Sequence, residues 1–185
     1  MQITGKDMNS AQTKQASKFL HTLSDFERIG DHASGISKVA KELKEKKTTF
    51  SKDAQKQLEL LESAVKEIVD ITTEAFIDDD LDAAKKVEPL RQVIRSLCGE
   101  LKNAHIKRLQ KRKCDIEHGF AFNDMLNNLD RIAAHCSNVA VAMIELEAAD
   151  FDTHEYLKEI REMKVGSFMS DYREYDKKYT LVDEE

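Results

Sequence analysis

Two segments of similar sequence hold the residues best suited to chemistry. The first runs from Ser24 to Ala33 and reads SDFERIGDHA, and the second runs from Asn127 to Cys136 and reads NNLDRIAAHC. In each, an acid is followed by Arg and Ile, with a His five residues after the acid. The two acids, Glu27 and Asp130, are 103 residues apart (130 − 27). A repeat of this length predicts two copies of one structural unit packed side by side.

A cation site is one chemistry that the first segment offers. Glu27 and Asp31 are four residues apart, so on a helix both carboxylates can face one metal ion. A helical wheel places this pair opposite the apolar stripe, while Asp25 falls at the margin of the stripe, close enough to add a third carboxylate. The alternative is a solvated helix face on which Arg28 pairs weakly with Asp31. Spacing alone leaves both interpretations open.

Two other metal chemistries require residues near the middle of the chain. A ferritin-like di-metal bundle needs Glu-x-x-His pairs, and the nearest substitute is Asp115 with His118, just before Gly119. Zinc binding by Cys114 and His118, with His135 and Cys136 nearby, is chemically possible, but there is no Cys-x-x-Cys pair. Neither chemistry is favoured by these spacings.

The cysteines and the two motif histidines also have simple structural interpretations. The three thiols are small apolar groups suited to a core. His32 and His135 occupy equivalent places beside the apolar stripe of their helices, which favours buried, hydrogen-bonding imidazoles over ligands or pH switches.

Composition points to one soluble helical protein. The chain has 185 residues, 35% of them charged, with six Gly and one Pro, which is typical of helices and unlike a sandwich or barrel. A net charge of −6 argues against a nucleic-acid partner. An odd number of cysteines without a framework spacing is typical of a reducing, cytoplasmic setting. The longest apolar run, Val139 to Ile144, is far below the roughly 20 residues that cross a bilayer, so no transmembrane segment is expected.

Apolar residues recur every three or four positions, which predicts an all-α fold with five helices. Ser51 is expected to cap the second helix, and the acidic turn at residues 78–80 to cap the third. Pro89 is expected to separate a short first turn from the main part of the third helix. The predicted helices cover about 11–46, 52–77, 81–113, 122–149 and 153–163, followed by a tail over 164–185 that is ordered only if it docks.

The first segment also carries a family resemblance. The run from Asp25 to Ala33 resembles the signature of PhoU-like domains, above all the cytoplasmic C-terminal PhoU-like domain of bacterial sodium/phosphate cotransporters. The order and separation of further pieces are similar from about residue 10 to residue 147. These pieces are Val87–Leu90, His105–Leu109, Asn123–Leu126 and Asp130–Ile132 with His135–Ala140.

This resemblance implies a PhoU-like antiparallel bundle of two similar three-helix halves, over about 10–79 and 80–163, within a domain at 1–163. It implies a regulator of phosphate uptake, not an enzyme, at the inner face of the cell membrane. The implied partner is the membrane part of a cotransporter or another phosphate-uptake component. The implied cofactor is a divalent or iron-type ion at Glu27 and Asp31. The remaining alternatives are a free-standing regulator and a generic helical interaction module without a phosphate link.

The second half departs from the family pattern. Ala134 stands where the family usually has an aspartate, and Arg91 and Arg95 stand where it often has acids. A cation beside Asp130 would face two guanidiniums, which is electrostatically unfavourable. We therefore expect Arg91 or Arg95 to pair with Asp130 in place of an ion, and we expect the equivalent Arg28 and Arg131 to occupy matching structural places.

The first half departs at its front. The family fold has one further helix before the helix that bears Glu27, whereas here the motif helix follows the polar start of the chain almost directly. The resemblance therefore implies that the first half lacks its first helix. Part of the apolar stripe of the motif helix would then lack a partner, leaving an exposed groove that favours a homodimer or helix exchange between chains.

Overall fold

The computed structural model describes residues 9–112, 116–148 and 153–181, with side chains described through 112, over 118–147 and over 166–181. In these ranges the chain forms helices and no strand, so the predicted all-α class is confirmed. The five helices are α1 Ser10–Glu45, α2 Lys52–Asp78, α3 Leu81–Gln110, α4 Ile116–Ala148 and α5 Thr153–Lys178.

Side-chain caps start the first three helices, because the first backbone N–H groups of a helix have no partner within it. Asn9 and Gln12 form a capping box at the start of α1. The Ser51 hydroxyl accepts from the Ala54 N–H at 3.3 Å. The Asp80 carboxylate accepts from two backbone N–H groups at 2.9 and 3.0 Å. The predicted caps of α2 and α3 are therefore confirmed.

Three helix boundaries differ from the prediction. α3 is one uninterrupted helix through Pro89, which is its ninth residue and is fully buried, so packing compensates for the lost hydrogen bond. α4 begins at Ile116, before the predicted start at 122. α5 continues past the predicted end at 163 to Lys178, because Tyr172 and Tyr175 pack against the core and offset the weak periodicity of this segment. The division into domain and tail at 163 and 164 stays a prediction.

The core is built mainly by three helices. The largest fully buried apolar side chains are Leu61 and Ile68 from α2, Val87, Leu90, Ile94 and Leu101 from α3, and Phe122, Leu126 and Val139 from α4. α2 packs on α3 and α4, and α5 packs on α3. Among the described residues, no helix is long and apolar enough to cross a membrane.

α1 is less buried than its apolar stripe predicted. Phe26, Ile29 and Ile36 are partly buried against the core, as expected. Leu23, Ala33 and Ala40 continue the same spacing of three or four residues along α1 but are exposed, so the burial covers only part of the apolar stripe. The physical reason is that α1 packs chiefly along a single helix, α4, which covers only one side of the stripe.

Candidate functional site

The two repeated segments meet where α1 and α4 pack antiparallel, and they contact each other reciprocally. His135 Nδ1 donates to Asp25 Oδ1 at 2.7 Å, and His32 Nδ1 donates to Asn128 Oδ1 at 3.0 Å. Asp25 precedes His32 by the same seven residues by which Asn128 precedes His135. Each histidine therefore binds the same position of the other copy, which relates α1 and α4 by an approximate two-fold axis.

The two imidazoles lie at this axis. The rings of His32 and His135 stack with centroids 5.7 Å apart and an interplanar angle of 23°. Both side chains are partly buried and hydrogen-bonded across the interface. Both imidazoles are thus hydrogen-bonded in the structure, and their assignment as purely structural groups stays a prediction.

Small and amide side chains complete the interface. Asn138 Nδ2 donates to Asp25 Oδ1 at 2.9 Å, while Asn128 Nδ2 donates to the Asp124 carbonyl at 2.9 Å. Gly35 is the equivalent of Asn138 in the other copy, and a Cβ on it would lie 2.7 Å from Asn128 Oδ1. A side chain at position 35 would therefore collide with the side chain of Asn128 on the facing helix. These roles were missed from the sequence, although the 103-residue offset already pairs Asp25 with Asn128 and Gly35 with Asn138.

The two motif arginines have similar surroundings in the two copies. Arg28 on α1 and Arg131 on α4 are both exposed, on the outer sides of their helices. The isoleucines that follow them, Ile29 and Ile132, turn towards the core instead. The duplicated Arg-Ile pair thus marks the same boundary between solvent and core in both copies.

The candidate cation pair lies on the exposed side of α1. Glu27 and Asp31 are both exposed. Asp25 points instead into the interface with α4, where it accepts hydrogen bonds from His135 and Asn138. Within the described side chains, no group of three or more His, Cys, Asp or Glu residues is placed to hold a metal ion. The arrangement therefore offers two carboxylates, and a cation held by them would keep most of its water ligands.

On α4, the acid that corresponds to Glu27 forms an ion pair. Arg91 Nη1 lies 2.9 Å from Asp130 Oδ1, and both side chains are mostly buried, at 15% and 28% exposure. Of the two arginines considered from the sequence, Arg91 is thus the partner of Asp130. Arg95 lines an open groove of about 710 Å³ beside this pair, together with Ser96 and Tyr172. A cation would be repelled by both guanidiniums.

The described cysteines are poor ligands and nucleophiles. Burial raises the pKa of the Cys98 thiol to about 12 and that of the Cys136 thiol to about 11. Both thiols are free and stay protonated near neutral pH, whereas metal binding and nucleophilic attack need the thiolate. Cys114 and Asp115, which the zinc and di-metal interpretations need, lie outside the described residues.

Residues 58–143 match the PhoU domain family. The match covers most of α2, all of α3 and α4 up to Met143, and so includes the second repeated segment. The chain is also similar to the phosphate-specific transport system accessory protein PhoU homolog 1 of Thermotoga maritima, with 22% identity over 143 residues. That alignment covers 77% of this chain and 60% of the relative, so the chain spans about three fifths of the relative's length. No solved structure gives a significant match.

Proposed function

We propose that this protein is a PhoU-like regulatory domain that controls phosphate uptake through protein–protein contact. The observation that carries the proposal is the PhoU domain match through α2, α3 and α4, where α4 bears one copy of the duplicated segment. The matched relative is named as an accessory protein of a phosphate transport system, which supports the same role.

A binding role fits the chemistry of the interface better than catalysis does. His135 of α4 is hydrogen-bonded to Asp25 of α1, and His32 of α1 is hydrogen-bonded to α4. The carboxylate of Asp130 is paired with Arg91. Their polar groups stabilise the packing of helices and are not presented to a substrate. The two described thiols are protonated by burial and do not serve as nucleophiles. We therefore propose a non-enzymatic function.

The proposed partner is the membrane part of a sodium/phosphate cotransporter, with this domain at the inner face of the cell membrane. The resemblance of Asp25–Ala33 to the domain found in those transporters supports this partner. A free-standing accessory protein is the second candidate, favoured by the name of the Thermotoga maritima relative.

Phosphate uptake in the host cell tests both candidates. A strain lacking this domain is expected to take up labelled phosphate at a rate that no longer falls when phosphate is abundant. If the partner is a sodium-coupled transporter, the effect disappears when potassium replaces sodium in the medium. An effect that persists without sodium supports the free-standing accessory protein. Normal regulation of uptake in both media would refute a role in phosphate transport.

We further propose that Glu27 and Asp31 bind a divalent or iron-type cation weakly at the surface of α1. Two like charges one turn apart repel on a bare helix, and a cation removes this repulsion. Calorimetric titration with Mg²⁺, Mn²⁺ and Fe²⁺ is expected to show binding that the double variant Glu27→Ala/Asp31→Ala loses. The matched control is Asp70→Ala/Glu74→Ala, an exposed acid pair with the same spacing on α2. Equal binding by both double variants would refute a specific site.

A further inference from the structure

Charge is distributed unevenly between the two ends of the helix bundle. Residues 41–56 and 102–124 hold twelve Lys and Arg against six Asp and Glu, so together they carry a net charge of +6. Because the whole chain carries −6, the remaining residues carry −12. We call these two segments the basic end, which comprises the end of α1, the start of α2, the end of α3 and the start of α4. The acidic turn at residues 78–80 lies at the other end of α2.

Contacts around one phenyl ring show that the two segments meet in the fold. Phe50, in the turn between α1 and α2, packs edge-on against Phe122 of α4 with ring centroids 5.5 Å apart. The guanidinium of Arg108, near the end of α3, lies 5.2 Å from the centre of the same ring. Arg108 also donates to the side chain of Gln57 on α2 at 2.8 Å. The basic end is therefore one continuous surface.

Many cations of the basic end are not neutralised by acids. Lys41 and Glu45 lie 3.9 Å apart, but both side chains are largely exposed, so water weakens their attraction. Within the described side chains, six exposed cations form no ion pair: Lys44, Lys47, Lys52, Lys107, Lys111 and Arg112. Their positive charge is therefore available to an anionic partner.

Helix dipoles do not account for this charge. The ends of α1 and α3 each carry about half a negative charge, which the lysines of their last turns offset. However, the starts of α2 and α4 lie at the same surface and each carry about half a positive charge. Lys52, the first residue of α2, adds a like charge to that helix start. The basic end thus has more positive charge than its helices need, which favours a binding role.

Two exposed apolar side chains accompany the cations. Phe120, at the start of α4, is 69% exposed, and Ile106, near the end of α3, is 51% exposed. Phe120 also lines a groove of about 290 Å³ together with Lys46 and Thr48. Lysines combined with exposed Phe and aliphatic side chains are typical of surfaces that bind to the headgroup region of a membrane.

We propose that the basic end is a docking surface for a membrane leaflet that contains anionic lipids, with Phe120 inserted among the headgroups. The cytoplasmic leaflet is negatively charged and attracts clusters of Lys and Arg. α3 has 30 residues and is about 45 Å long, whereas salt screens charges beyond about 8 Å, so acids at the far end do not repel the leaflet. A long nucleic acid fits less well, because it would extend past the basic end along the acidic remainder of the chain.

This inference rests on the proposed function in one respect, because it specifies how the domain lies at the inner face of the membrane. Its test needs no transporter. The full chain is mixed with vesicles of phosphatidylcholine that contain about 30% phosphatidylglycerol, or with vesicles of phosphatidylcholine alone, and bound protein is measured by co-sedimentation. Binding is expected only to the anionic vesicles. The partition coefficient is expected to fall at least about tenfold when the salt concentration rises from about 0.1 M to about 0.5 M.

Neutralising two lysines tests the surface itself. Lys44→Gln/Lys107→Gln is expected to lower the partition coefficient at least about tenfold, because each cation near an anionic surface contributes about fivefold to the affinity. The matched control is Lys66→Gln/Lys86→Gln, which removes the same charge from exposed lysines outside the basic end. This control is expected to change the partition coefficient less than about twofold.

A second pair of variants tests the inserted ring. Phe120→Ser is expected to lower the partition coefficient at least about threefold, because an apolar side chain is withdrawn from the headgroup region. The matched control is Ile77→Ser, in the last turn of α2 at the opposite end, where the side chain is 70% exposed. The control is expected to bind the vesicles as the natural chain does.

Three results would overturn the proposal. One is equal binding to the two kinds of vesicle, or binding to neither, and another is an equal loss in the two double lysine variants. The third is a DNA duplex or a polyglutamate peptide that needs the same lysines and binds more tightly than the anionic vesicles, which would assign the basic end to that polyanion. Loss of lipid binding with intact regulation of phosphate uptake would remove only the lipid surface. Lipid binding without any effect on phosphate uptake would instead remove the proposed function.

Discussion

Replacing Asp25 by alanine is expected to destabilise the protein more than the equivalent change at Asn128. Asp25 accepts two hydrogen bonds across the α1–α4 interface, from His135 at 2.7 Å and from Asn138 at 2.9 Å. Asn128 accepts one such bond across the interface, from His32. The approximate two-fold axis makes the two positions a matched pair. The difference between the two losses of unfolding free energy therefore measures the contribution of the carboxylate and its additional hydrogen bond.

The magnitude follows from the type of acceptor. Hydrogen bonds to a charged group contribute about 1.5–3 kcal/mol each, and neutral bonds about 1 kcal/mol. The side chains of Asp25 and His135 are 16% and 21% exposed, so water partly replaces the lost contacts. We therefore expect Asp25→Ala to cost about 2–3 kcal/mol of unfolding free energy and Asn128→Ala about 1–1.5 kcal/mol.

Urea unfolding followed by circular dichroism measures the decrease in unfolding free energy of both variants, provided that their m-values agree. A double-mutant cycle isolates the bond: Asp25→Ala combined with His135→Ala is expected to give a coupling of about 1 kcal/mol or more. The control cycle combines Asp25→Ala with Arg131→Ala, a change at an exposed residue of α4, the helix that bears His135, and the two changes in unfolding free energy are expected to add within about 0.5 kcal/mol. An Asp25→Ala loss no larger than that of Asn128→Ala, or no coupling to His135, would refute this account of the interface.

Three further results are expected. Gly35→Ala should lower the unfolding free energy measured in urea by about 1–3 kcal/mol, because the new Cβ would collide with the Asn128 side chain on the facing helix. Gly30→Ala, whose Cβ meets nothing within 4 Å, should raise the unfolding free energy by about 0.5–1 kcal/mol, and the opposite order of the two variants would contradict the packing. Leu126→Ala should cost about 2–5 kcal/mol and Leu23→Ala less than about 1 kcal/mol in the same assay, so equal losses would contradict their assigned burial. At pH 8.5, iodoacetamide should alkylate Cys98 at least about a hundredfold more slowly in the native protein than in urea, because burial raises the pKa of its thiol to about 12. The raised pKa also contributes stability to the folded state below the unfolded thiol pKa of about 8.5, and this contribution is lost as the pH rises from there towards the folded pKa.

Local features were predictable because they depend on neighbours in the sequence. The Ser51 cap of α2 and the Asp80 cap of α3 needed only the order of polar and apolar residues. The helical class followed from the apolar period and from the scarcity of Gly and Pro. The continuation of α5 beyond residue 163 was not predicted, because Tyr172 and Tyr175 are held by packing against the core rather than by a strong apolar period of this segment.

The candidate site was predictable in its components and only partly in its contacts. The repeat placed His32 and His135 as equivalents, and both imidazoles form hydrogen bonds across the α1–α4 interface. Asp25 was weighed as a metal neighbour, but it binds His135, 110 residues away in the sequence. Helical periodicity gives the side of a helix on which a residue lies, and contains no information on which other helix covers that side.

The sequence by itself determined that this chain is helical, where most helices begin and that two of them carry copies of one segment. Only the tertiary structure decided which copy is covered. Leu23 and Leu126 have the same side chain at the same place in the repeat, yet α3 buries the second and nothing in the described chain buries the first. The physical reason is that burial depends on neighbours brought together from distant parts of the chain, whereas a helix and its caps depend on residues within a few positions.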